Sequence, residues 1–129
     1  MDNLANQKEL VDQRKHMRFR VREGAFAVLK PHFTIVGEII DVSKGGLGFR
    51  YITGDEHSSE SSELNILFAD GNFCLRHVFF KTISDFVMSN EFSSGSITTK
   101  RRGIQFGELT LGQTSALEYF IQNYTTGEA

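Results

Sequence analysis

Apolar side chains recur at every second position along much of the chain, and this alternation constrains the fold more than any other feature. Residues 18–30 alternate in this way, as expected of a β-strand with one buried face, and Gly24 interrupts the pattern. Further segments rich in apolar and β-branched residues lie at 33–42, 47–52, 64–68, 73–80, 81–88 and 98–109. The sequence therefore predicts six or seven antiparallel strands, and closure into a small barrel is favoured because it leaves no strand edge exposed.

The C-terminal segment changes from strand periodicity to helix periodicity. The apolar residues that share one helical face are Leu117, Phe120, Ile121 and Tyr124. Thr110 and Gln113 have the spacing of a capping box, which predicts an amphipathic helix over about 111–124, with Gly127 ending the element. The expected fold class is all-β with one C-terminal helix: a small antiparallel barrel of six or seven strands.

The length of 129 residues favours one domain, because two smaller cores would each bury too little surface. Residues 1–13 are mainly polar and are interpreted as a flexible arm, and residues 14–125 as the barrel domain with its helix. No apolar run reaches the roughly 18 residues that a bilayer crossing needs, and the N-terminus does not resemble a secretory signal. Cys74 is the single cysteine, and we expect it to be inside or half-buried in a cytoplasmic protein.

The net charge of −2 hides an uneven distribution. Residues 14–22 contain five cations and no acid, so the rest of the chain carries −7. The five cations are Arg14, Lys15, Arg18, Arg20 and Arg22. A cationic spot on an acidic body suits a compact anion, whereas the surrounding charge would repel a long nucleic acid. Alternation with Phe19 places Arg20 and Arg22 on the solvent face of the first strand.

Two short motifs stand out when they are considered together. The first is RKHMR at 14–18, an RxxxR pattern at the start of the first predicted strand. The second is DVSKGG at 41–46, a DxSxxG pattern that is followed by LGF at 47–49 and by GIQF at 103–106. The combination resembles the PilZ domain family of bacterial cyclic di-GMP receptors, over roughly residues 13–122. This resemblance implies a β-barrel that binds cyclic di-GMP, needs no catalytic cofactor, and relays the signal to an unidentified protein partner controlling motility, adhesion or exopolysaccharide output.

The residues that fill the family's ligand-binding positions are Arg14, Arg18, Asp41, Ser43 and Gly46, with Lys15 and Gly45 as additional candidates. An arginine fork can bind a phosphate or a guanine edge, or stack on a purine. The Asp41 carboxylate can accept from the N1–H and N2–H groups of guanine, and the Ser43 hydroxyl can donate or accept. Gly45 and Gly46 tolerate a positive φ and permit close approach of a ligand. Lys15 lies where relatives often carry further arginines, so the affinity and the number of bound ligands stay open.

Other interpretations of the same residues remain open. The DVSKGG segment also suits an ordinary turn in which Asp41 or Ser43 bonds to the backbone. The chain can instead be a degenerate relative that acts as a protein-interaction module, or a small barrel that binds single-stranded nucleic acid through its basic arm. The run 100–102, Lys-Arg-Arg, is interpreted as an exposed strand end, with a second phosphate contact as the alternative. An enzyme is the least favoured class, because no nucleophile–base pair or metal-ligand spacing is found.

Overall fold

The computed structural model describes residues 16–30, 35–53, 62–89 and 98–129, and these ranges contain eight β-strands and one α-helix. In chain order they are β1 (Phe19–Val21), β2 (Ala25–Lys30), β3 (Ile35–Val42), β4 (Gly46–Thr53), β5 (Glu63–Phe68), β6 (Cys74–Ser89), β7 (Thr98–Phe106), α1 (Leu111–Asn123) and β8 (Thr125–Glu128). Arg14, Lys15 and the predicted arm at 1–13 lie outside the described residues.

Six of the strands form a closed antiparallel barrel. Hydrogen-bonded neighbours follow the order β2-β5-β6-β7-β4-β3, and β3 pairs back onto β2 to complete the ring. β1 lies outside the ring, where it pairs with the end of β3 and with β8. The predicted barrel with one C-terminal helix is therefore confirmed.

The single strand predicted at 18–30 is divided in two at Gly24. β1 pairs with β3 at Asp41 and Val42, whereas β2 pairs with the earlier part of β3. Gly24 has a φ of +102°, a left-handed conformation that glycine adopts without steric cost, and it turns the chain between the two strands. This break places the segment that precedes β1 beside the end of β3.

Inward-facing side chains of the alternating strands fill the barrel. The largest fully buried ones on the strands are Phe49, Leu29, Ile39, Leu47, Leu64, Ile66 and Ile104. Burying one such side chain is worth roughly 1.5–3 kcal/mol, so this apolar interior supplies the main driving force for closing the barrel.

The helix α1 packs on the barrel through an aromatic contact. Phe120 is fully buried, and its ring centroid lies 5.0 Å from that of Phe73, just before β6. Both bonds of the predicted capping box between Thr110 and Gln113 are present. The Gln113 side chain also donates to two backbone carbonyls of β6, which ties the start of the helix to the barrel.

Replacing Phe120 by alanine is expected to lower the free energy of unfolding by about 3–5 kcal/mol, because the lost ring leaves a buried cavity. Chemical denaturation followed by circular dichroism measures the change. The matched control is Leu111→Ala on the same helix, where the side chain is 89% exposed and the expected change is within about 0.5 kcal/mol. Equal losses in the two variants would contradict the packing of α1 on the barrel.

The helix ends earlier than the sequence predicts. α1 stops at Asn123 and Gly127 lies in β8, so the prediction that Gly127 ends the helix is wrong. The Thr125 hydroxyl donates to the carbonyl of Ile121 at 2.6 Å, and the chain then pairs with β1 instead of continuing as a helix. The described residues contain no helix of the length and apolar character that crossing a bilayer requires.

β6 is one strand of 16 residues where the sequence predicts two. It pairs with β5 in its first part and with β7 in its second, and its register with β7 shifts at two places. The expected burial of Cys74 is wrong, because Phe73 and Leu75 take the inward positions and leave the cysteine exposed between them.

Candidate functional site

The turn between β3 and β4 is closed by Ser43. Its N–H donates to the carbonyl of Gly46 at 2.8 Å, and its Oγ accepts from the N–H of Gly45 at 3.1 Å. The hydroxyl also donates to the Gly46 carbonyl at 3.4 Å. The side chain that shapes this turn is therefore that of Ser43, while Asp41 is bonded elsewhere.

Position 46 requires glycine because β4 and β7 approach each other closely there. Neither Gly45 nor Gly46 uses the positive φ that glycine permits. A Cβ at position 46 would collide with the carbonyl oxygen of Ile104 in β7, whereas a Cβ at position 45 would meet only the His16 ring. The last glycine of the DxSxxG motif thus lets β4 lie against β7 directly after the turn.

Asp41 holds its carboxylate between two arginines. Arg18 Nη1 donates to Oδ1 at 2.7 Å, and Arg101 Nη2 donates to Oδ2 at 2.7 Å. Asp41 is 7% exposed, and the two charge-assisted bonds compensate the burial of its charge. An ionised carboxylate has about four acceptor positions, so two of them remain for another partner.

The two motifs meet because β1 pairs with β3. Arg20 lies opposite Asp41 in the register, so Arg18, which precedes β1, reaches the carboxylate from the side of the turn. Of the predicted site residues, the structure brings together Arg18, Asp41, Ser43, Gly45 and Gly46. Arg14 and Lys15 lie outside the described residues.

Arg101 contacts Asp41 of the candidate site, although neither motif contains it. The interpretation of residues 100–102 as an exposed strand end is wrong, because Arg102 is 5% exposed and Arg101 pairs with Asp41. Alternation along β7 sends Arg102 and Ile104 into the barrel, so Arg101 faces outward. That alternation is readable in the sequence, but the contact with Asp41 also depends on the register of β7, β4 and β3.

A cleft of about 450 Å³ opens beside the turn. Its lining includes His16, Arg18, Lys44, Ile83 and Phe106. A larger groove of about 630 Å³ on the outer face of the barrel contains Arg50, but Glu38 Oε1 already accepts from that guanidinium at 2.6 and 2.9 Å. The smaller cleft combines cationic and apolar walls, and it is the better candidate for an anion that carries flat rings.

A second polar cluster lies on the inward side of β4, β6 and β7. The Tyr51 hydroxyl donates to Asp85 at 2.8 Å, and Arg102 Nη2 lies 3.2 Å from the same carboxylate. Burial, followed by the hydrogen bond with Asp85, raises the pKa of Tyr51, so the phenol stays a donor at neutral pH. Among the described residues, no group of three or more His, Cys, Asp or Glu side chains could hold a metal ion.

Two solved structures share this architecture, although no protein-family model and no curated protein matches the chain. The PilZ domain of YcgR from Escherichia coli, solved with c-di-GMP, has a TM-score of 0.65 and 16% identity, over 87% of this chain and 91% of that one. MrkH, described as a transcription regulatory factor dependent on c-di-GMP, has a TM-score of 0.61 and 17% identity over 85% of this chain. The match covers 50% of MrkH, so this chain spans about half its length. The chain therefore has the fold of the PilZ domain.

Proposed function

We propose that the chain is a bacterial receptor of the PilZ family that binds cyclic di-GMP and relays its level to a protein partner controlling motility, adhesion or exopolysaccharide output. The observation that carries this proposal is the meeting of the two motifs, since Arg18 and Asp41 form a 2.7 Å ion pair beside an open cleft. The likeness to the YcgR domain, which was solved with c-di-GMP, supports the choice of nucleotide. The proposal places the receptor in the cytoplasm and assigns it binding rather than catalysis.

The site offers a complementary group for each part of this ligand. The guanidinium of Arg18, together with that of Arg14, suits phosphate oxygens or the O6 and N7 atoms of guanine. The two free acceptor positions of Asp41 suit the N1–H and N2–H donors of the same base. Ser43 and Gly46 shape the turn against which the ligand lies, and Lys15 and Gly45 are additional contacts.

Charge favours a compact ligand over a polymer. Five cations lie within residues 14–22, whereas the rest of the chain carries −7. A nucleotide with two phosphates can bind beside Arg18 and Lys44, which line the cleft, whereas a long polyanion would extend over the remainder of the chain with its net negative charge.

Arg18 couples ligand binding to a change of shape. A nucleotide that engages both Asp41 and the arginine competes with their ion pair and draws the segment before β1 onto the ligand. The rearranged segment then presents a surface that the partner recognises. The ligand can shift the protein from the ligand-free to the ligand-bound arrangement only by as much as it binds the second more tightly. The size of this shift therefore depends on the ligand contacts of Arg14 and Arg18.

Calorimetric titration of the full chain with cyclic di-GMP, GTP and cyclic GMP tests the proposal. We expect a Kd for cyclic di-GMP of about 1 µM or lower, which corresponds to roughly −8 kcal/mol, and much weaker binding of the other two. At a ligand concentration of 100 times Kd, the fold gains about 2.7 kcal/mol, which is measured as a higher Tm. The stoichiometry distinguishes one bound ligand from a stacked pair.

The double variant Arg14→Ala/Arg18→Ala controls the site assignment. Its affinity is expected to fall at least about 100-fold, because two charge-assisted contacts are lost. Wild-type affinity in this variant would overturn the assignment. If the wild-type protein gives no heat and no Tm shift with cyclic di-GMP, nucleotide binding is rejected in favour of the protein-interaction module. Oligonucleotide binding with a steep salt dependence would instead support the nucleic-acid interpretation.

A further inference from the structure

We propose that Arg101 is a positioning residue that orients the Asp41 carboxylate and thereby sets the selectivity of the site for guanine. The inference rests on the proposed function and extends it to a residue outside both motifs. Its basis is the 2.7 Å bond from Arg101 Nη2 to Asp41 Oδ2, formed on the oxygen that Arg18 does not use.

The two arginines differ in how firmly the fold holds them. Arg101 lies within β7 and pairs in register with Arg50 of β4 on one side and with Phe86 of β6 on the other, so its backbone is fixed from both sides. Arg18 precedes β1, a strand of only three residues, and its carbonyl accepts from the N–H of Ala129 at 3.0 Å. When a ligand competes for Asp41, Arg18 is the partner that can leave, and Arg101 keeps its bond to Oδ2.

Gly48 provides the space in which the Arg101–Asp41 pair forms. It lies opposite Asp41 on β4, and a Cβ there would be 2.9 Å from Asp41 Oδ1 and 3.2 Å from Arg101 Nη2. Both separations are shorter than ordinary van der Waals contact, so any side chain at position 48 would push the carboxylate or the guanidinium away. The pair therefore depends on two features, an arginine on β7 and a bare backbone on β4.

Orientation matters because guanine and adenine present different edges. Guanine offers two adjacent donors, N1–H and N2–H, whereas adenine offers an acceptor at N1 beside its amino group. With Arg101 bonded to Oδ2, rotation of the carboxylate about its Cβ–Cγ bond is restricted, so the directions of its free lone pairs are set. A carboxylate in that position accepts from both guanine donors, whereas in adenine it faces the N1 acceptor. The site therefore rejects adenine, because two acceptors placed opposite each other cannot form a hydrogen bond.

The test compares Arg101→Ala and Arg101→Lys with wild type, measuring Kd for cyclic di-GMP and cyclic di-AMP by calorimetry and by competition. The matched control is Arg50→Ala, the cross-strand neighbour of Arg101, whose side chain binds Glu38 instead. Arg101→Ala should weaken cyclic di-GMP binding about 10- to 100-fold and cyclic di-AMP binding much less. The Kd for cyclic di-AMP divided by the Kd for cyclic di-GMP should therefore fall. Because Arg101 gives Asp41 a single donor atom, lysine should restore the affinity to within about 5-fold of wild type. Arg50→Ala should change either Kd less than about 2-fold.

Gly48→Ala is a second variant that reaches the same pair while leaving Arg101 in place. It should reproduce the narrowed selectivity, and the Tm of each variant reports whether the barrel is intact. Equal losses of affinity for both nucleotides in Arg101→Ala would overturn the positioning role, because they indicate a phosphate contact. An unchanged affinity for both would overturn it as well, because Arg101 would then have no role in binding. If the wild-type protein in the same series does not bind cyclic di-GMP, the proposed function itself is wrong and this inference is rejected with it.

Discussion

Replacing Asp41 by asparagine is expected to weaken cyclic di-GMP binding at least about 100-fold, because guanine loses both of its charge-assisted acceptors. The amide has nearly the same shape, but it offers one acceptor oxygen and turns an NH₂ donor toward the N1–H and N2–H donors of the base. Each hydrogen bond to a charged group is worth about 1.5–3 kcal/mol, so two of them account for the expected loss. Calorimetric titration measures it.

A second effect of this substitution acts in the opposite direction and is smaller. Removing one negative charge leaves Arg18 and Arg101 without their carboxylate, which favours the phosphates of any nucleotide. The two arginine side chains are 15% and 31% exposed, so solvent limits this gain to about 1 kcal/mol. The loss of the guanine contacts is larger, and the residual binding of Asp41→Asn should not distinguish guanine from adenine.

Asp85→Asn is the matched control. Asp85 is also bonded to cations, Lys100 and Arg102, but these contacts belong to the cluster around Tyr51 and not to the group formed by Arg18, Asp41 and Arg101. Its substitution is expected to lower the Tm and to leave the Kd within about 2-fold of wild type. An unchanged Kd in Asp41→Asn, or an equal loss in the two variants, would reject Asp41 as the residue that binds guanine.

The barrel could be predicted from the sequence because alternation is a local property of each strand. Leu47 and Phe49 occupy inward positions that their own segment identifies without knowledge of any partner strand. Cys74 shows the limit of this reasoning, since the same alternation read one position out of phase assigns it to the interior. The β8 strand could not be predicted, because its four residues, TTGE, carry no apolar alternation and form a strand only by pairing with β1.

The candidate site divides in the same way between local and long-range features. The turn closed by Ser43 is local, and its glycines mark it in the sequence. The contact between Arg101 and Asp41 joins residues 60 positions apart, and it depends on the registers of three strands. A basic run next to a predicted strand does not reveal which of its members faces a carboxylate until those registers are known.

Replacing Gly46 by alanine is expected to lower the free energy of unfolding by about 3 kcal/mol, at the upper end of the usual cost of overpacking. The added Cβ would collide with the carbonyl oxygen of Ile104 and lie 3.2 Å from the Cα of Gln105, so both obstructing atoms belong to the backbone of β7. No rotamer change relieves such a contact, and β4 must separate from β7 where the barrel is closed. The Gly46 carbonyl, which accepts from Ser43, moves with the strand, so nucleotide affinity falls together with stability.

Gly45→Ala, one residue earlier, is the matched control for stability. Its Cβ would lie 2.7 Å from the exposed ring of His16, which can rotate away, so the expected cost is less than about 1 kcal/mol. Denaturant unfolding of the two variants without nucleotide measures the difference, and equal stabilities would contradict the role of Gly46 in strand packing. Because the loss at position 46 does not require the ligand, the comparison separates the structural contribution of the DxSxxG motif from its contribution to binding, which Asp41→Asn measures.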